Sequence, residues 1–145
     1  MSWLVDTSVW SLALRRDGEQ AAPEVEALRE ALLGAQPVVT TGFVVQELLQ
    51  GFAGPKDRVR LLERLSALDI VHPDLDDHVE AAEIRNACRR RGVQIGTIDA
   101  LIIQLCRRHD LVLLSTDGDF RSARAHVAFR HWSRGDERIV QRGDP

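Results

Sequence analysis

The chain has 145 residues, of which 44% are hydrophobic, and a formal net charge of −3. This length is typical of one domain with a substantial core, and no apolar run approaches the about 20 residues that cross a bilayer. The composition therefore excludes a membrane-spanning protein. The net charge does not indicate a nucleic-acid binder, although carboxylates that hold a metal ion would lower the net charge without repelling an anionic ligand.

The N-terminus and the cysteines both indicate a protein of the cytoplasm. The chain reaches Asp6 without any basic residue, which is not the pattern of a signal peptide. Cys88 and Cys106 lie in predicted helices and lack metal-binding spacing, so we expect them to be reduced packing residues.

Short apolar runs alternate along the chain with amphipathic stretches of helical period. Thr7 or Ser8 is the expected cap of the first helix, Asp74 or Asp76 that of the fifth and Thr97 that of the sixth. One face of the fourth helix is expected to carry Val59, Leu62, Leu65 and Leu68. Strands are predicted at residues 3–6, 37–40, 68–71, 111–115 and 127–129. Helices are predicted at 7–16, 23–33, 41–50, from 55 onward, 74–91, 97–109 and 117–125.

This alternation predicts an α/β fold, a three-layer α/β/α sandwich whose short strands form a parallel sheet. The strand predicted at residues 111–115 has a continuous apolar run from Leu111 to Leu114, as expected of a strand covered on both faces. No linker or repeat divides residues 1–145, so we expect one domain, with a polar, arginine-rich surface tail from about residue 130.

Two acids directly follow predicted strands. Asp6 ends the first strand and Asp117 follows the apolar strand at 111–115. The ends of parallel strands meet at one edge of a sheet, where ligands bind. Each acid alone is better explained as a helix N-cap or first-turn acid.

Two further acids stand among apolar residues. Asp99 lies in the first turn of a helix, with Ile102 and Ile103 on its face, and is either a first-turn acid or a ligand. Glu47 lies too far inside its helix to cap it, and its apolar neighbours indicate a site that requires a partner. A solvent-exposed glutamate is the alternative.

Together, Asp6, Glu47, Asp99 and Asp117 predict an acidic pocket that binds a divalent cation. Carboxylate oxygens suit Mg²⁺ or Mn²⁺ better than zinc. Hydroxyl groups beside two of the acids are expected either to orient the carboxylates or to cap helices. These hydroxyls belong to Thr7, Ser8 and Thr116.

Four segments of the chain resemble the PIN-domain nucleases, most closely the VapC toxins of bacterial VapBC toxin–antitoxin pairs. The segments are residues 4–10, 44–51, 98–103 and 114–120, in the order and at about the spacing of that family. By this resemblance Asp6, Glu47, Asp99 and Asp117 take the four acidic positions. Asp119 matches a further acid of the last motif that is more often peripheral.

The resemblance implies a Mg²⁺- or Mn²⁺-dependent endoribonuclease toxin. It also implies a homodimer, and inhibition by a cognate VapB-type antitoxin whose C-terminal segment covers the active site. Structured RNAs, either tRNA or a ribosomal RNA loop, are the implied substrates. Such an enzyme would hydrolyse the phosphodiester with water and leave 5′-phosphate and 3′-hydroxyl ends.

Other functions remain open on the residues alone. Phosphatases of the haloacid dehalogenase kind and phosphorylatable receiver domains need a lysine after a strand, whereas Lys56, the one lysine, follows Gly54-Pro55. A metal-stabilised module that binds RNA or protein without cleaving it is the main alternative. RNA contacts are expected from arginines near the Asp99 helix, unless these form an ordinary solvated face. The arginines concerned are Arg85, Arg89, Arg90, Arg91, Arg107 and Arg108.

Overall fold

The computed structural model describes residues 1–15, 22–52 and 54–133 of the chain. In these ranges strands and helices alternate as the sequence predicts. The strands are β1 (Ser2–Val5), β2 (Val38–Thr41), β3 (Asp69–Val71), β4 (Leu111–Leu114) and β5 (Arg130–His131). The helices are α1 (Thr7–Ala13), α2 (Pro23–Leu33), α3 (Gly42–Gly51), α4 (Pro55–Ser66), α5 (Leu75–Arg90), α6 (Thr97–Arg108) and α7 (Gly118–Arg124).

All five described strands lie parallel in one sheet, in the order β3-β2-β1-β4-β5. Leu4 of β1 pairs with Val39 on one side and with Leu113 on the other. The chain builds the sheet outward from β1 to β3 and then returns to place β4 on the opposite side of β1. This reversal opens a crevice beyond the carboxyl ends of β1 and β4, where open α/β sheets bind ligands.

Helices cover both faces of the sheet and form two cores. Side chains alternate along β1, so that Leu4 packs with α5, α6 and α7, whereas Trp3 and Val5 pack with α1 to α4. Leu113 and Leu114 of β4 divide between the two cores in the same way. The predicted three-layer sandwich is therefore confirmed, and its burial explains the continuous apolar run of β4.

Local capping explains several helix ends. Asp74 caps α5 through a reciprocal pair of bonds with Asp77, in which each backbone N–H donates to the other carboxylate at 3.0 Å. Gly92 follows α5 at a φ of 77°, a conformation that glycine adopts at little cost. Thr41 caps α3 by accepting a bond from the N–H of Val44 at 3.3 Å.

Some predicted boundaries and faces were wrong. Asp6, rather than Thr7 or Ser8, is the N-cap residue of α1, and Gly96 replaces Thr97 at the start of α6. The predicted end of the first helix at residue 16 lies outside the described residues.

The apolar face predicted for α4 was also wrong in part. Leu61 and Leu65 are buried, whereas Val59 and Leu62 are exposed. Helical spacing allows an apolar stripe at residues 59, 62, 65 and 68, and it equally allows one at residues 61 and 65. Only the packing of α4 against the rest of the protein decides which stripe is buried.

The end of the described chain differs from the predicted surface tail. The last strand lies at Arg130–His131 rather than at residues 127–129, and it pairs with β4 through Leu113 and His131. His131 is buried, and Val127 and Phe129 pack in the core beside it. Residues 134–145, the rest of the predicted tail, lie outside the described residues.

Two further expectations concern the cysteines and the membrane. Cys88 and Cys106 are buried free thiols, and burial raises the pKa of both. None of the helices in the described part of the chain has the length and apolar character to span a membrane.

Candidate metal centre

The carboxyl ends of β1 and β4 bring two acid-bearing turns side by side. Val5 pairs with Leu114, and the next residue, Asp6, donates its N–H to the carbonyl of Leu114 at 2.9 Å. Asp6 is buried, and Ser115 follows Leu114 directly. The register between the two strands therefore places the first acid opposite the turn that carries Asp117.

Two serine hydroxyls hold the Asp6 carboxylate. Ser8 Oγ and Ser115 Oγ both donate to Asp6 Oδ2, at 2.9 and 2.8 Å. Each hydroxyl in turn accepts a backbone N–H, from Thr116 at 3.1 Å and from Asp117 at 3.0 Å. Because both protons are directed to Asp6, the 3.3 Å separation of the two serine oxygens is a contact without a hydrogen bond.

This network leaves the other oxygen of Asp6 available. Among the described residues, Asp6 Oδ1 has no hydrogen-bond partner, whereas Oδ2 has two donors. A buried carboxylate with one fixed oxygen and one open oxygen can coordinate a cation with little loss of side-chain entropy. Ser8 and Ser115 thus orient the carboxylate from β1 and β4 together.

Asp117 and Asp119 enter the site from the start of α7. Asp117 is the N-cap residue, and its Oδ1 accepts the N–H of Asp119 at 2.9 Å. The capping role foreseen for Asp117 is therefore present. The capping bond uses Oδ1 of Asp117, and Oδ2 has no partner among the described residues.

Asp99 enters from the first turn of α6, three residues after the N-cap Gly96. Its Oδ2 accepts the N–H of Gly96 at a long 3.4 Å. A Cβ at position 96 would lie 3.3 Å from this oxygen, so glycine permits the close approach of the carboxylate. Asp99 is half-buried, and its neighbours Ala100 and Ile103 are buried in the core that fixes α6.

Three of these acids converge on one point. Asp99, Asp117 and Asp119 each offer a carboxylate oxygen within 4.8 Å of the others. Burial and the negative charge of Asp117, with smaller contributions from Asp6 and Asp119, raise the pKa of Asp99 to about 6, despite the opposing hydrogen bond from Gly96. Asp6 therefore lies close enough to act on the same point electrostatically.

The acidic cluster, meaning Asp6, Asp99, Asp117 and Asp119, forms no ion pair in the described part of the chain. The ion pairs found there involve Asp74, Asp77 and Asp110 instead. Like charges at this spacing are unfavourable unless a cation or a proton offsets them. A set of carboxylate oxygens with access to water fits Mg²⁺ or Mn²⁺.

Glu47 is the remaining acid that the sequence analysis assigned to the site. It is on α3 and is exposed, with Val44 and Leu48 turned into the core beside it. The exposure of Glu47 agrees with the solvent-exposed alternative given by the sequence. The group of mutually close carboxylates found among the described residues does not include Glu47, and its catalytic role stays a prediction.

The residues expected to orient the acids divide into three cases. Ser8 holds Asp6, as described above, whereas the buried Thr7 Oγ1 has no partner among the described residues. Thr116 contributes its backbone N–H to Ser8, and its side chain is exposed. Ser115 was missed, although a hydroxyl that ends an otherwise apolar strand is a signal that the sequence contains.

Three of the arginines proposed as RNA contacts have structural partners, and one of them, Arg89, donates its Nη2 to Asn86 Oδ1 at 2.9 Å. Arg108 forms ion pairs with the buried Asp77 and, at 3.1 Å, with Asp74. Hydrogen bonds and the Arg108 charge overcome the effect of burial and lower the pKa of Asp77. Arg85 donates its Nε to the carbonyl of Ile95 at 3.0 Å, which ties α5 to the loop before α6.

Comparison with known proteins gives a consistent result. A sequence model of the PIN domain matches residues 3–125. FitAcB from Neisseria gonorrhoeae is 26% identical, with a TM-score of 0.63 over 85% of this chain and 93% of that one. VapBC2 from Rickettsia felis, solved with a promoter DNA fragment, is 18% identical, with a TM-score of 0.70 over 92% and 100%.

A third solved structure shares the fold. It is VapC20 from Mycobacterium tuberculosis, described as a sarcin–ricin loop cleaving toxin, with 22% identity and a TM-score of 0.60 over 85% of this chain and 95% of that one. No curated protein matches the chain with significant sequence similarity.

Proposed function

The chain belongs to the PIN-domain family, and from this premise we propose that it is a metal-dependent endoribonuclease, the toxin of a type II toxin–antitoxin pair. The observation that carries the proposal is the convergence of the acidic cluster at the carboxyl ends of β1 and β4, without an ion pair among the described residues. Carboxylates arranged in this way are suited to hold a divalent cation beside a phosphodiester.

The residues of the site have different proposed roles. Asp6, Asp99 and Asp117 would hold the cation, with Asp119 as an outer member. A bound Mg²⁺ or Mn²⁺ lowers the pKa of a water ligand and offsets the charge that develops on the phosphate. Ser8 and Ser115 keep Asp6 in place, and Gly96 allows Asp99 to approach. Glu47, assigned through the family resemblance, is proposed to complete the site from α3.

RNA as the substrate is supported by the likeness to a toxin described as cleaving the sarcin–ricin loop. We extend this to a structured RNA of the tRNA or ribosomal class, cleaved with water as the nucleophile. A protein that acts on such RNA works in the cytoplasm. The absence of a lysine at the positions used by phosphatases gives no support to phosphoryl transfer onto the protein.

An antitoxin partner is supported by the complexes in which similar chains were solved, and by a groove on this molecule. Helices α1 and α2 and the end of α4 enclose about 590 Å³ lined mainly by apolar side chains, among them Trp10, Leu28 and Leu68. Leu33 at its border is 81% exposed, and Arg29 and Arg64 also line the groove. An amphipathic helix with acidic flanking residues would fit this surface, as expected of a VapB-type antitoxin.

A homodimer is supported by exposed apolar side chains on the edge strand β3 and on the helices that precede and follow it in the chain. Exposed apolar side chains are common at interfaces, and an edge strand has an unpaired side that can bind a partner. The side chains concerned are Val59 and Leu62 of α4, Ile70 of β3, and Leu75 and Val79 of α5.

The decisive experiment measures cleavage of cellular RNA by purified protein that is free of antitoxin. We expect cleavage with Mg²⁺ or Mn²⁺, none with a chelator, and 5′-phosphate ends on the products. Asp99→Asn should lower the rate at least about 100-fold, the order of a lost metal ligand or its supporting group. Asp69→Asn, which changes an exposed acid on β3 far from the crevice, is the matched control.

Two outcomes would contradict the proposal. If wild-type protein binds RNA but leaves it intact with either metal, the chain is the non-cleaving binding module. If Asp99→Asn cleaves as well as wild type, the acidic cluster is not the catalytic site.

A further inference from the structure

A second pocket lies between the start of α3, the middle of α5 and the start of α6, the helix that carries Asp99. Its volume is about 430 Å³, within the about 300–1,000 Å³ typical of small-ligand sites. Buried Ala81, Ala100 and Leu101 form its floor, and the half-buried Phe43 and Ile98 form its apolar walls. We call this the α3–α5–α6 pocket.

Two walls of the pocket belong to elements that carry acids of the proposed site. Ile98 is the residue before Asp99. Phe43 lies one helical turn before Glu47, so both are on the same face of α3. Because Ile98 and Asp99 are adjacent on α6, we take a base in the pocket and a phosphate at the acidic cluster to belong to neighbouring nucleotides of one RNA strand.

The border of the pocket is rich in hydrogen-bond donors and contains no acid. His78, Arg85, Asn86 and Thr97 line it. Arg85 donates its Nε–H to the carbonyl of Ile95, and Asn86 Oδ1 accepts a hydrogen bond from Arg89. The terminal N–H groups of Arg85 and the amide N–H groups of Asn86 have no partner in the described part of the chain, so they are available to a ligand.

We propose that the α3–α5–α6 pocket binds an unpaired nucleobase of the RNA, next to the phosphate that is cleaved. An apolar floor with an aromatic wall suits the face of a base, and a border of donors suits its edges and its flanking phosphates. This inference rests on the proposed function and narrows its substrate to RNA whose bases are free to leave a stack, such as loops and single strands.

The charge around the pocket favours RNA over a second copy of this chain as the occupant. Arg85 lines the pocket and Arg89 follows it one helical turn later, whereas the exposed apolar Leu75 and Val79 lie toward the start of α5 and do not line the pocket. A pocket with cationic and amide donors at its border complements a polyanion, and the apolar side chains suit a protein surface.

The test compares two alanines of α5 that differ in the side they face. Ala82 is exposed and lines the pocket, whereas Ala87 lines a groove on the opposite side of the helix. Ala82→Leu and Ala87→Leu are made with Asp99→Asn also present, so that RNA stays intact. The probe is a short fluorescein-labelled single-stranded RNA, and the same strand in a duplex, with affinity measured by fluorescence anisotropy.

We expect Ala82→Leu to weaken binding of the single strand about tenfold, the order of one lost base-stacking contact. Its affinity for the duplex, and both affinities of Ala87→Leu, should stay unchanged. RNA with an abasic nucleotide at the contacted position should bind the protein that keeps Ala82 about as weakly as unmodified RNA binds the Ala82→Leu protein. Combining the abasic RNA with Ala82→Leu should weaken binding no further.

Three results would overturn the inference: unchanged single-strand binding by Ala82→Leu, equal losses for both RNAs, or an altered sedimentation of RNA-free Ala82→Leu. The last would make the pocket an interface between copies. Cleavage by protein with Asp99 intact separates this inference from the proposed function. If the protein cleaves RNA and Ala82→Leu binds the single strand normally, only the pocket proposal is refuted. If Ala82→Leu selectively loses single-strand binding and the protein with Asp99 cleaves no RNA, only the nuclease proposal is refuted.

Discussion

Replacing Asp99 by asparagine should stabilise the protein in the absence of metal while removing its activity. The substitution keeps the shape of the side chain and an oxygen that can accept the Gly96 N–H, but it takes one negative charge out of the acidic cluster. Burial and the charges of Asp117, Asp6 and Asp119 raise the pKa of Asp99 to about 6 from 3.8. Ionised Asp99 is therefore a cost to the folded state.

The size and the pH window of this effect follow from linkage. A pKa near 6 in the folded state and 3.8 in the unfolded state means that the folded protein binds more protons between these values. The contribution of Asp99 to the free energy of unfolding is therefore greatest below about pH 4 and declines as the pH rises to about 6. The full shift corresponds to about 3 kcal/mol, which solvent screening at a half-exposed side chain reduces to about 1 kcal/mol.

Urea denaturation with a chelator present measures this difference. Asp99→Asn should be more stable than wild type by about 1 kcal/mol at pH 7.5 and equal to it near pH 4. Saturating Mn²⁺ should reverse the order at pH 7.5, because a ligand that binds only the folded state stabilises it. Equal stability of the two proteins at pH 7.5 with chelator would show that the carboxylates do not repel one another as described.

Three further predictions concern groups around the site. Ser115→Ala removes one of two donors to Asp6 and should weaken Mn²⁺ binding about tenfold or more in calorimetry, as lost supporting contacts of metal ligands do. Burial and nearby arginines lower the pKa of His131 to about 4 from 6.5. The unfolded chain therefore binds more protons in this window, stability rises from pH 4 to 6.5, and His131→Leu should flatten that rise in denaturation curves relative to wild type. Arg108→Ala leaves the buried Asp77 carboxylate unpaired and should destabilise the fold by about 2 kcal/mol, less than for a fully buried pair because Arg108 is 41% exposed.

Controls for these predictions come from the same elements. Ser122→Ala changes an exposed hydroxyl of α7 whose one hydrogen bond among the described residues is to the carbonyl of Gly118, and it should leave Mn²⁺ binding unchanged. A His131→Leu protein whose stability still rises between pH 4 and 6.5 as in wild type would exclude His131 as the source. For Arg108→Ala, adding Asp77→Asn should recover part of the loss, since the unpaired charge is then absent. A double variant as unstable as the single one would contradict the proposed ion pair.

Much of the fold follows from local patterns along the chain. The alternation of short strands and helices, the buried run of β4, the cap at Asp74 and the stop at Gly92 all depend on neighbours within a few residues, and the structure agrees with each. The α4 face and the position of β5 were predicted less well, because both depend on what packs against them from elsewhere in the chain.

The candidate site shows the same division. The sequence by itself determined which acids follow strands or begin helices, and hence that Asp6, Asp99 and Asp117 could meet at one edge of a parallel sheet. Only the tertiary structure decided that Asp119 joins Asp99 and Asp117, that Ser115 holds Asp6 across two strands, and that Glu47 faces solvent. Local spacing sets which way a side chain leaves its own helix or strand, whereas its partners and its exposure depend on the register and packing of segments about one hundred residues apart.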